Sequence, residues 1–283
     1  MSRALVRAVA LTALAGIACS SGGGGGAGAA ASGPGASGGG AGASSAGDDA
    51  SADTSVPDST DETVADWCAA HSTPPGFCED FDEGVPGKLA SRVYGGGVVA
   101  GDVTVFVSGG ESMWASVPPS AGPTPAAAAL AMESFVTTSS HPRLQAEFQV
   151  AADCAATELG TTLIAFTFGP YSISIATSSA GTSLLEDVYG ADGGLGGAKA
   201  YPLASPIPTR VWSVLVLDVD LSGQRANVTI SGAEGLADQA LSLVPIMAYP
   251  MSGAFNVGTA VPDGPGRFAG CQVHVDNVLL ELL

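Results

Sequence analysis

Short apolar runs, separated by glycine, proline, aspartate and serine, make up most of the sequence from Trp67 to Leu283. No long pattern of period 3.6 occurs among them, so the runs predict β-strands rather than amphipathic helices. The clearest strand candidates are residues 103–107, 144–150, 162–168, 171–176, 212–219, 226–230 and 273–282. Gly169–Pro170 and residues 220–224 separate successive runs and predict hairpin turns. An alanine-rich stretch, residues 126–135, predicts either a helix or a loop leading into a strand. The pattern as a whole is typical of an all-β sandwich or barrel with antiparallel strands.

The first eighteen residues have the features of a secretory signal peptide. Arg3 and Arg7 precede an apolar run over residues 8–18, and eleven helical residues rise only about 16 Å, too little to span a bilayer core of about 30 Å. Cys19 follows at once and resembles the lipid-attachment cysteine of bacterial lipoproteins. The alternative is cleavage after an Ala-x-Ala-like site, which would release a protein without lipid. Ser20 after the cysteine implies, by the same resemblance, an outer-membrane lipoprotein. We therefore expect a cell-envelope or extracellular location.

Residues 19–66 predict a disordered linker. Glycine, alanine and serine dominate as far as Gly47, and residues 48–66 then carry seven acids and no base. Such a composition cannot bury enough apolar surface to offset the entropy of ordering the chain. The sequence thus divides into a signal peptide (1–18), a lipid-attachment cysteine with its linker (19–66) and one folded domain (67–283).

The charge balance excludes two classes of function. Aspartate and glutamate number 27 against 9 lysines and arginines, a net charge of −18. Nucleic-acid binding requires a basic face that neutralises phosphates, and a polybasic membrane-surface protein requires a cluster of bases. We therefore expect no nucleic-acid partner, and a membrane contact only through the lipid.

Four cysteines of the folded domain predict two disulfides, with three possible connectivities. Cys68 and Cys78 are ten positions apart, so a local bridge between them is the simplest arrangement. Cys154 would then pair with Cys271. A zinc site is the alternative, but structural zinc usually binds cysteine pairs only two to four residues apart.

Three landmarks suggest a known superfamily. Residues 77–82 read FCEDFD, residues 212–220 read WSVLVLDVD and precede a second run at 226–232, and residues 273–279 read VHVDNVL. In this order they resemble the opening strand, a central hairpin and the closing strand of concanavalin A-like lectins and glucanases, in particular their laminin G-like modules. The resemblance implies an antiparallel two-sheet jelly roll that binds or cleaves glycans.

The same resemblance implies that the first and last strands are neighbours, with a structural calcium between them. Asp276 matches the acidic position of the closing strand, and Asp80 or Asp82 could approach from the opening strand. Calcium, which prefers six to eight oxygen ligands, is the only cofactor we expect. The alternative is that Asp276 only accepts hydrogen bonds at a strand edge.

Evidence for catalysis is weaker. Glycosidases that resemble this chain carry three acids at alternate positions of one strand, and the closest match here is Asp218 with Asp220, which lacks the third acid. These two residues could simply lead into a polar turn. Glu186 and Asp187 are adjacent, so they should point to opposite faces of a strand. We assign no catalytic residue and expect a non-enzymatic protein, with a divergent glycoside hydrolase as the alternative.

Glycan binding requires aromatic rings that stack on sugar faces. The candidates are Trp114, Tyr171, Tyr189, Tyr201 and Tyr249. Packing in the core or against loops is the alternative for each of them. The sequence predicts a surface-anchored module that binds envelope or extracellular polysaccharide. A structural or protein-binding envelope lipoprotein without sugar affinity remains a third possibility.

Overall fold

The computed structural model describes residues 67–71, 75–124, 126–265 and 267–283. The predicted signal peptide, Cys19 and the linker lie outside these residues. The described chain contains a short helix, α1 (Trp67–Ala70), and one turn of 3-10 helix, η1 (Ala152–Ala156). Its strands are β1 (Pro75–Glu79), β2 (Ala90–Tyr94), β3 (Val98–Asp102), β4 (Ser112–Val117), β5 (Ala127–Thr137), β6 (Pro142–Val150), β7 (Thr161–Phe168), β8 (Tyr171–Ser178), β9 (Gly181–Tyr189), β10 (Leu195–Pro202), β11 (Trp212–Asp220), β12 (Arg225–Ile230), β13 (Ala233–Ala240), β14 (Met251–Val261) and β15 (Cys271–Leu282).

The strands form two sheets, and every pair of neighbouring strands is antiparallel. The first sheet has the order β13-β12-β11-β6-β15-β4-β3, and β1 pairs with β15. The second sheet has the order β10-β9-β8-β7-β14-β5-β2. The prediction of an all-β, two-sheet antiparallel sandwich is therefore confirmed.

Side chains that alternate along the strands fill the space between the sheets. Leu144, Ala146 and Phe148 of β6 are fully buried and belong to the same core cluster as Phe166 of β7 and Phe255 of β14. Residues between them on each strand point outwards, because successive side chains of a strand lie on opposite faces. Each large apolar side chain buried in this way contributes roughly 1.5–3 kcal/mol to folding.

Most predicted strands are found, including the adjacent first and last strands, and both predicted hairpin turns are present. The strand predicted at residues 103–107 is wrong. Val103 and Val107 are 67% and 45% exposed in the loop that joins β3 to β4. The backbone N–H of Val107 donates to a side chain, Asp276, at 2.8 Å rather than to a neighbouring strand.

The alanine-rich stretch forms a strand, and the helical alternative is wrong. Its residues lie in β5, which pairs with β14 over eleven successive positions and with β2 on its other side. Ala127, Ala129 and Ala131 face the main core, whereas Ala128 and Leu130 lie on the opposite face of the sheet. Pairing on both sides outweighs alanine's helix preference, which is below 1 kcal/mol per residue.

Both disulfides predicted as the simplest pairing are confirmed. Cys68 bonds to Cys78, and Cys154 bonds to Cys271 across a separation of 117 residues. The second bond joins η1 to the start of β15. Within the described ranges, no helix combines the length and apolar character needed to cross a bilayer.

Candidate functional site

Small side chains cover most of the outward face of the second sheet. Strand register places one row of residues side by side from β10 to β5, in the order Ala198, Asp187, Ser172, Thr167, Ala254, Ser134. A second row runs parallel to it, in the order Ala200, Leu185, Ser174, Ala165, Asn256, Met132. We call these two rows the small-residue face. In the first row every member except Asp187 is alanine, serine or threonine.

Asp187 and Thr167 are the chemically distinctive members of this face. The two residues are 8% and 7% exposed, although both side chains point away from the core. Asp187 Oδ1 and Thr167 Oγ1 are buried without a hydrogen-bond partner. A buried polar group without a partner costs about 1–3 kcal/mol, so such atoms are rare unless a bound molecule satisfies them. Five such side-chain atoms occur in the described residues, and these are the two that share a row of the outward face, where a bound ligand would satisfy them.

The carboxyl group of Asp187 has an unusual environment. Burial, and to a smaller extent the negative charge of Glu186, raise its pKa to about 6. None of the ion pairs among the described residues involves Asp187. Among the outward-facing residues of the described second-sheet strands, Asp187 is the only carboxylate and Arg92 the only base. Arg92 lies five strands away from Asp187, about 24 Å at the normal strand spacing.

Glu186 points into the core directly behind Asp187, as expected for adjacent residues of a strand. Its carboxylate accepts hydrogen bonds from the Tyr171 hydroxyl at 3.0 Å and the Tyr201 hydroxyl at 2.5 Å. It also accepts the backbone N–H groups of Ser242 and Leu243, both at 3.0 Å. The carboxylate therefore ties β8, β9 and β10 to the segment after β13. Burial raises the pKa of both tyrosine hydroxyls, which keeps them as donors.

Two of the five predicted ligand-binding aromatics thus bind Glu186. Tyr171 is fully buried, so its ring has no free face for a sugar, and the prediction for this residue is corrected. Tyr201 is half-buried on β10. Tyr189 is half-buried at the end of β9, two residues from Asp187 and on the same face of the strand. Tyr249 is 40% exposed in the segment before β14.

Trp114, the fifth predicted aromatic, lies on the outward face of the first sheet. Strand register places it in a row with His274, Gln149 and Trp212. The ring centroids of Trp212 and His274 are 6.5 Å apart. His274 Nε2 lies 2.9 Å from the carboxylate of Asp102, whose pKa falls to about 2 mainly because it accepts hydrogen bonds from Thr104. His274 therefore already has a partner, Asp102, which lies outside this row.

The carboxylates predicted to bind calcium are held separately. Asp276 is fully buried and accepts the backbone N–H groups of Val107, Ser108 and Asn277 at 2.8–3.1 Å. Burial nevertheless raises its pKa to about 6. Asp80 accepts the N–H of Cys68 at 3.1 Å, and Asp82 is exposed beside Gly109. No cluster of three or more potential metal ligands occurs in the described residues, and the calcium site stays a prediction.

The alternative catalytic pair, Asp218 and Asp220, lies on the first sheet. Asp218 Oδ1 is 2.5 Å from His141 Nε2. Asp220 accepts hydrogen bonds from the Ser222 hydroxyl and the Gly223 N–H at 2.8 and 2.7 Å. Asp220 therefore closes a polar turn, as the non-catalytic interpretation of the sequence predicts.

The small-residue face carries hydroxyl groups and one carboxylate that takes part in none of the ion pairs of the described residues. Sequence reasoning identified that Asp187 lies on the face opposite Glu186 but gave it no role, and it missed Thr167, Ser172 and Asn256. The available signal was the alternation of large and small residues in β7 and β8. In β8, for example, Ser172, Ser174 and Ala176 alternate with the buried Ile173 and Ile175.

The fold is similar to solved structures of two other proteins. The endo-beta-1,4-glucuronan lyase of the fungus Trichoderma reesei aligns with a TM-score of 0.56 and 14% sequence identity, over 74% of this chain and 96% of that chain. The cellulose induced protein Cip1 aligns with a TM-score of 0.52 and 15% identity, over 73% of this chain and 97% of that chain. Neither a protein-family model nor a curated protein matches the sequence. The structural likeness supports the predicted fold, an antiparallel two-sheet jelly roll.

Proposed function

We propose that this protein binds carbohydrate on the small-residue face and does not cleave it. The observation that carries the proposal is the pair of buried, unpartnered atoms in one row, Asp187 Oδ1 and Thr167 Oγ1. They lie on strands two positions apart, about 10 Å at the normal strand spacing. A ligand that satisfies both must therefore carry polar groups along its length, as an oligosaccharide does.

The other residues of the face suit the same ligand. Alanine and serine have short side chains, so a ligand on this face would lie closer to the strands than larger side chains would allow. The amide of Asn256 and the hydroxyl of Ser174 add hydrogen-bonding groups, and Tyr189 provides an aromatic ring beside Asp187. Carbohydrate sites combine such polar groups with aromatic surface.

The absence of a second acid supports binding without hydrolysis. A glycosidase requires two carboxyl groups on either side of the scissile bond. Asp187 is the only carboxylate among the outward-facing residues of the described second-sheet strands, and Glu186 behind it points into the core. The two similar solved structures, named a glucuronan lyase and a cellulose induced protein, support a carbohydrate ligand in general terms.

We further propose that the protein is exported and acts in the cell envelope or outside the cell. Two disulfides support an oxidising compartment. Attachment through a lipid on Cys19 belongs to the same proposal, and mass spectrometry of the protein from its native membrane would test it.

Binding of the purified protein to an array of polysaccharides, with and without a calcium chelator, tests the main proposal. We expect saturable binding to one class of glycan and no release of reducing or unsaturated ends. Thr167→Val, which removes the unpartnered hydroxyl and preserves the shape, should weaken binding severalfold. Trp114→Ala on the opposite sheet is the control and should leave binding unchanged. An array without binding, or a loss confined to Trp114→Ala, would contradict the proposal.

A further inference from the structure

The charge of the small-residue face restricts the ligand that it can bind. Asp187 brings one negative charge to a row that otherwise contains only alanine, serine and threonine. Its Oδ1 has no hydrogen-bond partner, and the nearest charged side chain identified in its surroundings, Glu186, is also acidic. Arg92 is too far away to compensate, since about 24 Å exceeds the screening length of about 8 Å at physiological salt. No basic side chain of this face therefore lies close enough to balance the charge of Asp187, and a bound cation would balance it.

The rest of the domain has the same sign. Residues 67–283 contain 20 acids and 7 bases, which gives a net charge of −13. The long-range field therefore repels an acidic glycan such as a polyuronate and attracts a basic one. A neutral glycan would leave the buried carboxylate without a counterion.

We infer that the natural ligand is a basic glycan, in which one sugar unit places a protonated amine against Asp187 and a neighbouring unit places a hydroxyl against Thr167. This inference rests on the proposed carbohydrate binding and names its substrate class. The amine donates to Asp187 Oδ1 and supplies the missing positive charge. The sugar hydroxyl pairs with Thr167 Oγ1 about 10 Å further along the row. The ligand thus differs in charge from the uronic acid polymer named for the similar lyase.

Calorimetric titration of the purified protein with three matched probes tests the inference. The probes are a β-1,4-linked glucosamine oligomer, the N-acetylated oligomer of the same length and a uronic acid oligomer. We expect the glucosamine oligomer to bind at least tenfold more tightly than the other two. Asp187→Asn should reduce its affinity about tenfold or more, because a buried charge pair loses one partner. Spermidine, an amine without a sugar, should bind at least tenfold more weakly than the oligomer.

Glu234→Gln provides a matched control, because Glu234 is an exposed acid on β13 of the other sheet. This variant should bind the glucosamine oligomer as the unmodified protein does. If it weakens binding as much as Asp187→Asn, and binding vanishes at about 0.3 M salt, the attraction is a general surface effect and the inference fails. Equal binding of spermidine would mean that the site recognises an amine and not a glycan, which also overturns it.

The remaining outcomes separate this inference from the proposed function. If the N-acetylated oligomer binds as tightly as the glucosamine oligomer, and Thr167→Val still weakens binding, the face binds carbohydrate but not through an amine. If neither Thr167→Val nor Asp187→Asn affects any probe, both the proposed function and the inference are wrong. Urea unfolding midpoints of the variants show that a loss of binding does not reflect loss of the fold.

Discussion

Replacing Glu186 with glutamine should lower the free energy of unfolding by about 2–4 kcal/mol. The Glu186 carboxylate is fully buried and accepts four hydrogen bonds, from Tyr171, Tyr201, Ser242 and Leu243. Glutamine has nearly the same shape but only one acceptor oxygen, which can serve about two of the four donors. Its NH₂ group would face the other two, and each buried donor left unpaired costs about 1–3 kcal/mol. Relief from burying a charge offsets part of this loss.

Urea denaturation, followed by far-ultraviolet circular dichroism and tryptophan fluorescence, measures the effect. The midpoint should fall while the slope with urea concentration stays constant, because the surface exposed on unfolding is unchanged. Tyr171→Phe and Tyr201→Phe each remove one donor and should cost about 1 kcal/mol. The two tyrosines donate to different oxygens of Glu186, and glutamine keeps only one of them. Combined with Glu186→Gln, one of the two tyrosine variants should therefore add much less than its single effect, because its hydroxyl has already lost its acceptor.

The control is Glu234→Gln, which makes the same chemical change at an exposed position of β13. Its free energy of unfolding should stay within about 0.5 kcal/mol of the unmodified protein. A loss below about 1 kcal/mol for Glu186→Gln, or full additivity with the tyrosine variants, would refute the view that this carboxylate holds β8, β9 and β10 together.

Three further changes test other parts of the structure. The pKa of Asp187 is about 6 in the folded state and near 3.9 in the unfolded state, so the folded state binds the proton more tightly. The contribution of this residue to stability therefore falls as the pH rises from about 4 to 6. Asp187→Asn should therefore stabilise the protein at pH 7.5, by up to about 3 kcal/mol. It should also flatten the dependence of the unfolding free energy on pH between pH 4 and 7, and a steeper profile would contradict this. Replacing Cys154 and Cys271 with serine removes a link across 117 residues. The free energy of unfolding in urea should fall by about 5 kcal/mol. A fall below about 1 kcal/mol would show that the link hardly restricts the unfolded chain. Gly258→Ala should lower the thermal midpoint strongly, since Gly258 has φ +130° and its new Cβ would collide with the neighbouring strand. Gly232→Ala is the control and should have a smaller effect, because Gly232 has φ +78° but open space around it. Equal effects of the two changes would argue against the collision.

The strand positions could largely be predicted from sequence, because alternation and turn residues are local signals. Trp212–Asp220 and Tyr171–Ser178 illustrate this, since both read as strands bounded by turns. The disulfides could also be anticipated, because two cysteines close in sequence leave only one partner for each of the others. The strand at Ala127–Thr137 could not, because its alanines favour a helix when considered alone and only pairing with β14 decides otherwise.

The candidate site lies beyond the reach of a single sequence for a different reason. Ala198, Asp187, Ser172, Thr167 and Ala254 come from five strands, and only the register between those strands puts them in one row. Aromatic residues were the natural candidates, yet burial depends on which face of a strand points inwards. That choice made Tyr171 a donor to Glu186 and left the smaller polar residues to form the outer face.

The pairing of β1 with β15 has a practical consequence for protein engineering. Pro75 lies opposite Glu281, so the first and last strands of the sandwich meet within one hydrogen-bonded ladder. A short peptide could therefore connect the two ends, and new termini could be opened in an exposed turn such as Ser231–Gly232 without crossing the core. Because both ends belong to the sheet opposite the small-residue face, immobilising a circularly permuted or end-coupled protein on a sensor surface would leave that face accessible to long polymers.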